Sequence, residues 1–92
     1  MNTTQTTKEN ELTTKIAFNL FDVIKRLERA KGETVTNTYV AERSGLSRFT
    51  IQKIVNNDSE RVDLSTLAAL LDFFAAEGMP VTVADLFTVT DA

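Results

Sequence analysis

The sequence contains no cysteine and no histidine. Without cysteine there is no disulfide framework, no thiol chemistry and no zinc finger, and without histidine the usual imidazole base and metal ligand are missing too. Nucleophilic triads and transition-metal sites are therefore nearly excluded. Carboxylates on helices, with no phosphate-binding loop, form no recognisable catalytic site, so we predict no enzyme, no cofactor and no metal.

Long apolar runs are missing as well. No stretch approaches the roughly 20 residues that span a bilayer, and the first residues lack the charged-then-apolar pattern of a signal peptide. We therefore expect a soluble, cytoplasmic protein with no membrane partner. The 92 residues, 42% of them hydrophobic, suit one domain with a small core. A domain of this size is only marginally stable alone, so dimerisation would add stability.

The net charge of −3 counts against nucleic-acid binding, because DNA-binding proteins commonly present a basic surface. The distribution of charge weakens this objection. Lys and Arg number six against five acidic residues in 1–35 and four against three in 36–62, whereas 63–92 contain no basic residue and five acidic ones. A mildly basic face can meet phosphate while the acidic third points away. That third can equally serve only to keep the protein in solution.

Residues 36–57, TNTYVAERSGLSRFTIQKIVNN, predict two short helices joined by a turn. Thr36 can cap the first helix, which should begin near Asn37. Gly45 follows where the chain must leave that helix through a left-handed conformation, which glycine adopts without steric cost. Ser47 can then cap the second helix.

The second of these helices has one apolar and one polar face. Ile51, Ile54 and Val55 recur at helical spacing and should be buried. The outward positions carry a guanidinium, a ring, an amide and an ammonium group, on Arg48, Phe49, Gln52 and Lys53. Such groups read base edges and contact phosphates, so the pattern predicts sequence-specific binding to double-stranded DNA.

This stretch resembles the helix-turn-helix of the Cro/cI (XRE-like) repressors. In that family a small residue on the first helix of the motif packs against the recognition helix, and Ala41 stands at that position. Gly45 and Leu46 match the turn glycine and the hydrophobic residue that follows it. Ile51 and Ile54 match the β-branched residues that lock the recognition helix.

The resemblance covers about residues 15 to 88, nearly the whole chain. It implies an all-α, five-helix, lambda-repressor-like DNA-binding domain in residues 13–92. Residues 1–12 read as a flexible N-terminal arm, which either wraps the duplex or is a plain tail. Asn57 stands where a glycine commonly ends the recognition helix, but asparagine tolerates the left-handed conformation.

The chain before the motif predicts a helix from a cap at Thr13 or Thr14 to Gly32. Its apolar stripe consists of Ile16, Leu20, Val23, Ile24 and Leu27. Its C-terminal half carries the basic residues Lys25, Arg26, Arg29 and Lys31. These cations either stabilise the helix dipole or contact phosphate, and the sequence leaves both open.

Two helices are predicted after the motif. The fourth should open at Asp63 or Ser65 and end at Gly78, with Phe73 off its buried stripe. That stripe consists of Leu64, Leu67, Leu70, Leu71 and Phe74. Thr82 caps a short fifth helix, whose apolar face closes the core, forms a two-fold interface, or does some of both. We assign the dimer interface to Phe73, Val83, Leu86 and Phe87.

Together, the residue types and the resemblance assign DNA contacts to Asn37, Ser47, Arg48, Phe49, Thr50, Gln52, Lys53 and Arg61. Each assignment has an alternative. Arg48 and Lys53 can be ordinary solvated residues, and Ser47 can be only a cap. Phe49 either contacts a thymine methyl group or folds back onto the preceding helix. Tyr39 either donates to a phosphate or is a half-buried ring.

The sequence thus predicts a transcriptional regulator, in the first instance a repressor that binds a palindromic operator as a homodimer. We expect a bacterial or phage-encoded protein that is nucleoid-associated when bound. The alternative is an antitoxin or other protein-interaction module on the same scaffold, with a partner such as a toxin. Salt separates the two, because binding dominated by phosphate contacts weakens steeply as salt rises.

Overall fold

The computed structural model describes residues 14–58 and 61–91, so the predicted arm of residues 1–12 lies outside the described part. The elements are β1 (Thr14–Phe18), α1 (Leu20–Lys31), α2 (Asn37–Ser44), α3 (Arg48–Val55), α4 (Leu64–Ala76), a 3-10 turn (Val83–Leu86) and β2 (Phe87–Asp91). In this part of the chain no helix is long and apolar enough to cross a membrane. The expected all-α, five-helix architecture is replaced by four α-helices and a two-stranded sheet.

The first difference is at β1, where we predicted the start of a helix at Thr13 or Thr14. β1 pairs antiparallel with β2, from Thr14 opposite Asp91 to Phe18 opposite Phe87. The spacing of Ile16 and Leu20 fits a helix, but backbone pairing with a strand distant in sequence decides the conformation.

Helix α1 begins at Leu20 because the residue before it is held by the 3-10 turn. The Asn19 amide donates to the Leu86 carbonyl at 2.7 Å, and its side-chain amide donates to the Asp85 carbonyl at 3.4 Å. The helix buries Leu20, Val23, Ile24 and Leu27, as the stripe predicted. It ends at Gly32, which has a φ of 73°.

The caps predicted for the helix-turn-helix are confirmed. The Thr36 hydroxyl accepts from the Tyr39 amide at 3.0 Å, and the Ser47 hydroxyl accepts from the Thr50 amide at 3.0 Å. Between them Gly45 adopts a φ of 82°, in the left-handed region that favours glycine. α2 and α3 are therefore joined by a turn whose local chemistry specifies it.

Helix α4 differs from the prediction in which residues it buries. Phe73, placed off the buried stripe, is only 1% exposed, whereas Leu64 at the first turn is exposed. The Phe73 ring meets Tyr39 of α2 edge-on at 6.1 Å between centroids and Phe74 at 5.0 Å. α4 is therefore covered on a broader face than a single stripe, so Phe73 belongs to the core.

The predicted fifth helix is a single 3-10 turn. The Thr82 hydroxyl accepts from the Asp85 amide, and the Asp85 carboxylate accepts from the Thr82 amide at 2.9 Å, which forms a capping box. This hydrogen bond lowers the pKa of Asp85. The cap starts the turn as predicted, but the residues from Phe87 onward pair with β1 and cannot continue a helix.

One hydrophobic core joins the helices and the 3-10 turn. Its buried residues are Leu20, Val23, Ile24, Leu27, Val35, Val40, Ala41, Ile51, Ile54, Leu67, Leu70, Phe73, Phe74 and Leu86. Helix α3 enters this core through Ile51 and Ile54. Its opposite face is therefore presented outward on a rigid support.

Candidate nucleic-acid interface

The outward face of α3 is the candidate interface. Arg48, Phe49 and Gln52 are exposed there, and Lys53 is half-buried. The Ser47 cap sets the start of the helix, and the buried isoleucines on the other side set its rotation. The four side chains predicted from the helical spacing therefore occur on one side of one helix.

Phe49 and Lys53 form a pair on this face. The Phe49 ring is 69% exposed, and the Lys53 ammonium lies 5.3 Å from its centroid. Of the two predicted positions for this ring, the fold-back onto α2 is not adopted. A cation at this distance is attracted by the ring, so Lys53 stays close to Phe49.

A cavity of about 320 Å³ separates α3 from the segment that leads into α4. It is lined by Phe49, Thr50, Lys53, Ile54, Arg61, Val62, Asp63 and Thr66. The predicted loop cation Arg61 thus shares a groove with Lys53 of the helix. The two cations flank an apolar floor that Ile54 and Val62 provide.

The remaining predicted residues lie at helix starts. The Ser47 hydroxyl, besides its role as a cap, donates to the Thr50 hydroxyl at 2.9 Å. Asn37 is the first residue of α2 and is half-buried. Ser47 and Thr50 occur at the start of α3, and Asn37 at the start of the helix before it.

Tyr39 adopts the half-buried position, one of the two that the sequence left open. Its hydroxyl donates to both carboxylate oxygens of Glu77 at 2.9 Å, and Lys31 forms an ion pair with the same carboxylate. The hydrogen bond from Lys31 is the main cause that lowers the pKa of Glu77, with Tyr39 adding to it against partial desolvation. The same bond raises the pKa of Lys31.

The other basic residues of α1 divide in the same way. Lys25 pairs with Glu28 at 3.1 Å, and the Glu28 carboxylate accepts from the Val35 amide at 2.8 Å. The bond from Val35 is the largest cause that lowers the pKa of Glu28. Lys25 and Lys31 therefore have acidic partners within the chain, while Arg26 and Arg29 are exposed.

Asn57, just after α3, has a role that the sequence did not reveal. Its side-chain carbonyl accepts from the Phe18 amide at 2.8 Å, and its side-chain NH₂ donates to the Phe18 carbonyl at 3.4 Å. Its φ of 58° is left-handed, as expected for a residue that replaces a glycine. The end of the recognition helix is thereby tied to β1.

The residues predicted for a dimer interface fall into two groups. Phe73 and Leu86 are in the core and have no surface to offer a partner, which corrects their assignment. Val83 is 45% exposed, and the half-buried Phe87 ring stacks on Phe18 with 4.7 Å between centroids.

Among the described residues, no cluster of three acidic side chains is placed to hold a metal ion. A family model for the Cro/C1-type HTH DNA-binding domain matches residues 24–91. No curated protein and no solved structure matches the chain. The matched range includes most of α1 and every later element, so it contains the whole candidate interface.

Proposed function

The chain belongs to the Cro/C1-type helix-turn-helix DNA-binding family, and we propose that it is a transcriptional repressor that binds a palindromic operator as a homodimer. The observation that supports this most directly is the exposed face of α3, held outward by a capped turn and two buried isoleucines. A helix presented in this way fits the major groove of B-DNA.

Within this proposal the side chains of α3 divide their work. Arg48 and Gln52 are exposed, carry bidentate donor or acceptor groups, and contact base edges. Phe49 contacts a thymine methyl group. Lys53 and Arg61, which share one groove, contact phosphates on the same side of the duplex.

The helix starts supply further phosphate contacts. Asn37 lies at the N-terminus of α2, where backbone amides and the helix dipole favour an anion. Ser47 and Thr50 present hydroxyls at the start of α3. Because each phosphate contact adds affinity without sequence information, these residues set the register while Arg48 and Gln52 set the specificity.

A homodimer allows two recognition helices to read half-sites roughly 34 Å apart. We propose that the contact lies at the C-terminal end, where Val83 and Phe87 keep exposed surface. This end is acidic in sequence and suited to lie away from DNA. We further propose that the protein acts in the cytoplasm of a bacterium and is encoded there or by a phage.

Selection of bound sites from a pool of random duplexes, followed by footprinting, tests the proposal. We expect a palindromic motif. Arg48→Ala and Gln52→Ala should each reduce specific affinity by about 1 to 3 kcal/mol, because each loses a base contact, with unchanged thermal melts. Lys53→Ala should weaken all sequences alike and flatten the salt dependence by about one unit per recognition helix.

Asp72→Ala, an exposed substitution on α4 outside the groove, serves as the matched control and should bind as wild type does. Equal binding by the wild type, Arg48→Ala and Gln52→Ala across the selected sites would refute the assignment of α3 as the recognition helix. A chain that selects no duplex but holds a protein partner independently of salt is instead an interaction module of the antitoxin kind.

A further inference from the structure

Two exposed apolar side chains lie side by side on the two-stranded sheet. Ile16 is 70% exposed and Val89 is 66% exposed, and the strand register places them opposite each other. A sheet of two strands is only marginally stable in water, and an uncovered apolar pair adds to its cost. A further strand against this sheet would extend the hydrogen-bonded ladder and cover part of the pair.

We infer that the outer edge of β2 pairs antiparallel with the same edge of a second copy of this chain, across a two-fold axis at Val89. The result is a four-stranded sheet shared by two subunits. This inference rests on the homodimer of the proposed function and names the surface that forms it.

The outer edge of β1 is already closed. Both the N–H and the C=O of Phe18 are bonded to the side chain of Asn57, so these groups point away from β2. In a strand, alternate residues direct their backbone groups to the same side, so Ile16 and Thr14 share this edge with Phe18. The Asn57 side chain ends the free edge after Ile16, and Lys15 on an edge strand is a common protection against pairing.

The outer edge of β2 has neither protection. Phe87 faces Phe18, so its backbone groups also point outward, and its N–H indeed donates to the Ala84 carbonyl of the 3-10 turn. By the same alternation, the N–H and C=O of Val89 point outward. Positions 87–90 read Phe-Thr-Val-Thr, all residues that favour strands, with no charge, proline or glycine.

The occupant that fits this edge is a second copy. In an antiparallel pairing about Val89, each Val89 lies opposite Val89 of the partner subunit, which is the self-complementarity that a two-fold axis demands. The Ile16 and Val89 pairs of the two subunits then form one apolar stripe across four strands, a cross-strand contact that stabilises sheets. No charged residue from 87–90 faces its own copy, because none is charged.

This surface is also linked to the recognition helix. Asn57, two residues after α3, binds the backbone of β1, and β1 binds β2. Joining two subunits at β2 therefore fixes the position of one recognition helix relative to the other. Half-site spacing is then set by the sheet.

A cysteine cross-link tests the geometry, because the chain has no cysteine of its own. Val89→Cys places the two thiol-bearing residues at a Cα separation of about 5.5 Å, within the range of a disulfide, so mild oxidation should give a covalent dimer. Ile16→Cys is the matched control, since it is equally exposed on the same face. Its two copies would be about 14 Å apart and should stay unlinked.

Sedimentation provides the second measurement. Wild type should be a dimer at tens of micromolar, Val89→Lys a folded monomer, and Val83→Lys still a dimer, because Val83 lies on the 3-10 turn away from the paired edge. Cross-linking of Val89→Cys no faster than Ile16→Cys, a monomeric wild type, or a dimeric Val89→Lys would each overturn the inference. Dissociation by Val83→Lys alone would move the contact to the 3-10 turn and overturn it equally.

A duplex of random sequence at low salt separates this inference from the proposed function. Val89→Lys should keep the salt-dependent binding of one recognition helix and lose tight binding to the selected palindrome. Wild type that binds DNA while Val89→Cys stays unlinked overturns the sheet contact alone. A cross-linked dimer that binds no DNA supports the sheet contact and refutes the proposed function.

Discussion

Asn57 shows how one side chain can set both a backbone conformation and a tertiary contact. Its φ of 58° lets the chain turn after α3, and its amide forms two hydrogen bonds with the backbone of Phe18. Glycine would supply the conformation without the bonds. Most other residues would supply neither, because a Cβ is strained at positive φ.

Substitutions at Asn57 should separate these two contributions. Asn57→Ala loses the amide bonds and strains the backbone, so it should lower the free energy of unfolding by about 1 to 2 kcal/mol. Asn57→Gly loses only the bonds, which are exposed, and should cost less than about 1 kcal/mol. Urea denaturation of the three proteins measures both. A glycine variant less stable than the alanine variant would mean that the backbone conformation contributes little.

At this scale the sequence predicts what depends on near neighbours. The caps at Thr36 and Ser47 and the left-handed Gly45 were predictable, because each involves groups within a few residues. The partner of Asn57 was not, since Phe18 lies 39 residues away and its segment read as helix. The outward side chains of α3 followed from helical spacing alone.

Among the helices, the ends of α1 and α4 meet at α2 through one polar cluster. Glu77, which follows α4, accepts from Tyr39 of α2 and pairs with Lys31 at the end of α1. The Lys31 and Arg43 side chains also lie 5.4 Å and 4.9 Å from the Tyr39 ring centroid. The cluster therefore holds the first helix of the DNA-binding motif against the rest of the domain.

The lowered pKa of Glu77 predicts the acid dependence of stability. A carboxyl group whose folded pKa is depressed stabilises the protein fully above its unfolded pKa, about 4.3, and the contribution is lost as the pH falls through the folded value. Glu77→Gln should therefore be less stable than wild type at pH 7 and lose less stability than wild type below about pH 4.3. Thermal melts across this range measure it.

Tyr39→Phe provides the graded companion to that experiment. It removes one donor to Glu77 and keeps the ring, so it should cost about 0.5 to 1.5 kcal/mol at pH 7 and reduce the acid sensitivity in the same direction by less. An acid limb identical in all three proteins would show that the cluster does not couple protonation to folding.

The predictability of each element also follows the range of its contacts. α2, α3 and the buried residues of α1 follow from caps and spacing, and the family match confirms the resemblance. The strands and the 3-10 turn do not, because β1 forms only against β2. Neither strand has a neighbouring hairpin partner that a local pattern would reveal.

At the scale of the whole molecule, the uneven charge has more than one cause. Residues 63–92 contain no Lys or Arg, whereas Arg48, Lys53 and Arg61 lie around the candidate interface. Two acidic groups of that C-terminal third have structural partners, since Glu77 binds Lys31 and Asp85 caps the 3-10 turn. Its acidity is therefore partly spent within the fold and is weak support for a basic protein partner.

A small core and a shared sheet together predict that stability depends on protein concentration. Association of folded subunits favours the folded state by mass action, so a tenfold rise in concentration should raise the melting temperature of a dimer of this size by about 4 °C. Val89→Lys should melt at the same temperature at every concentration, because its monomer gains nothing from association. Calorimetry over two decades of concentration decides it: a wild-type melting temperature that does not move would mean that each chain folds without a partner.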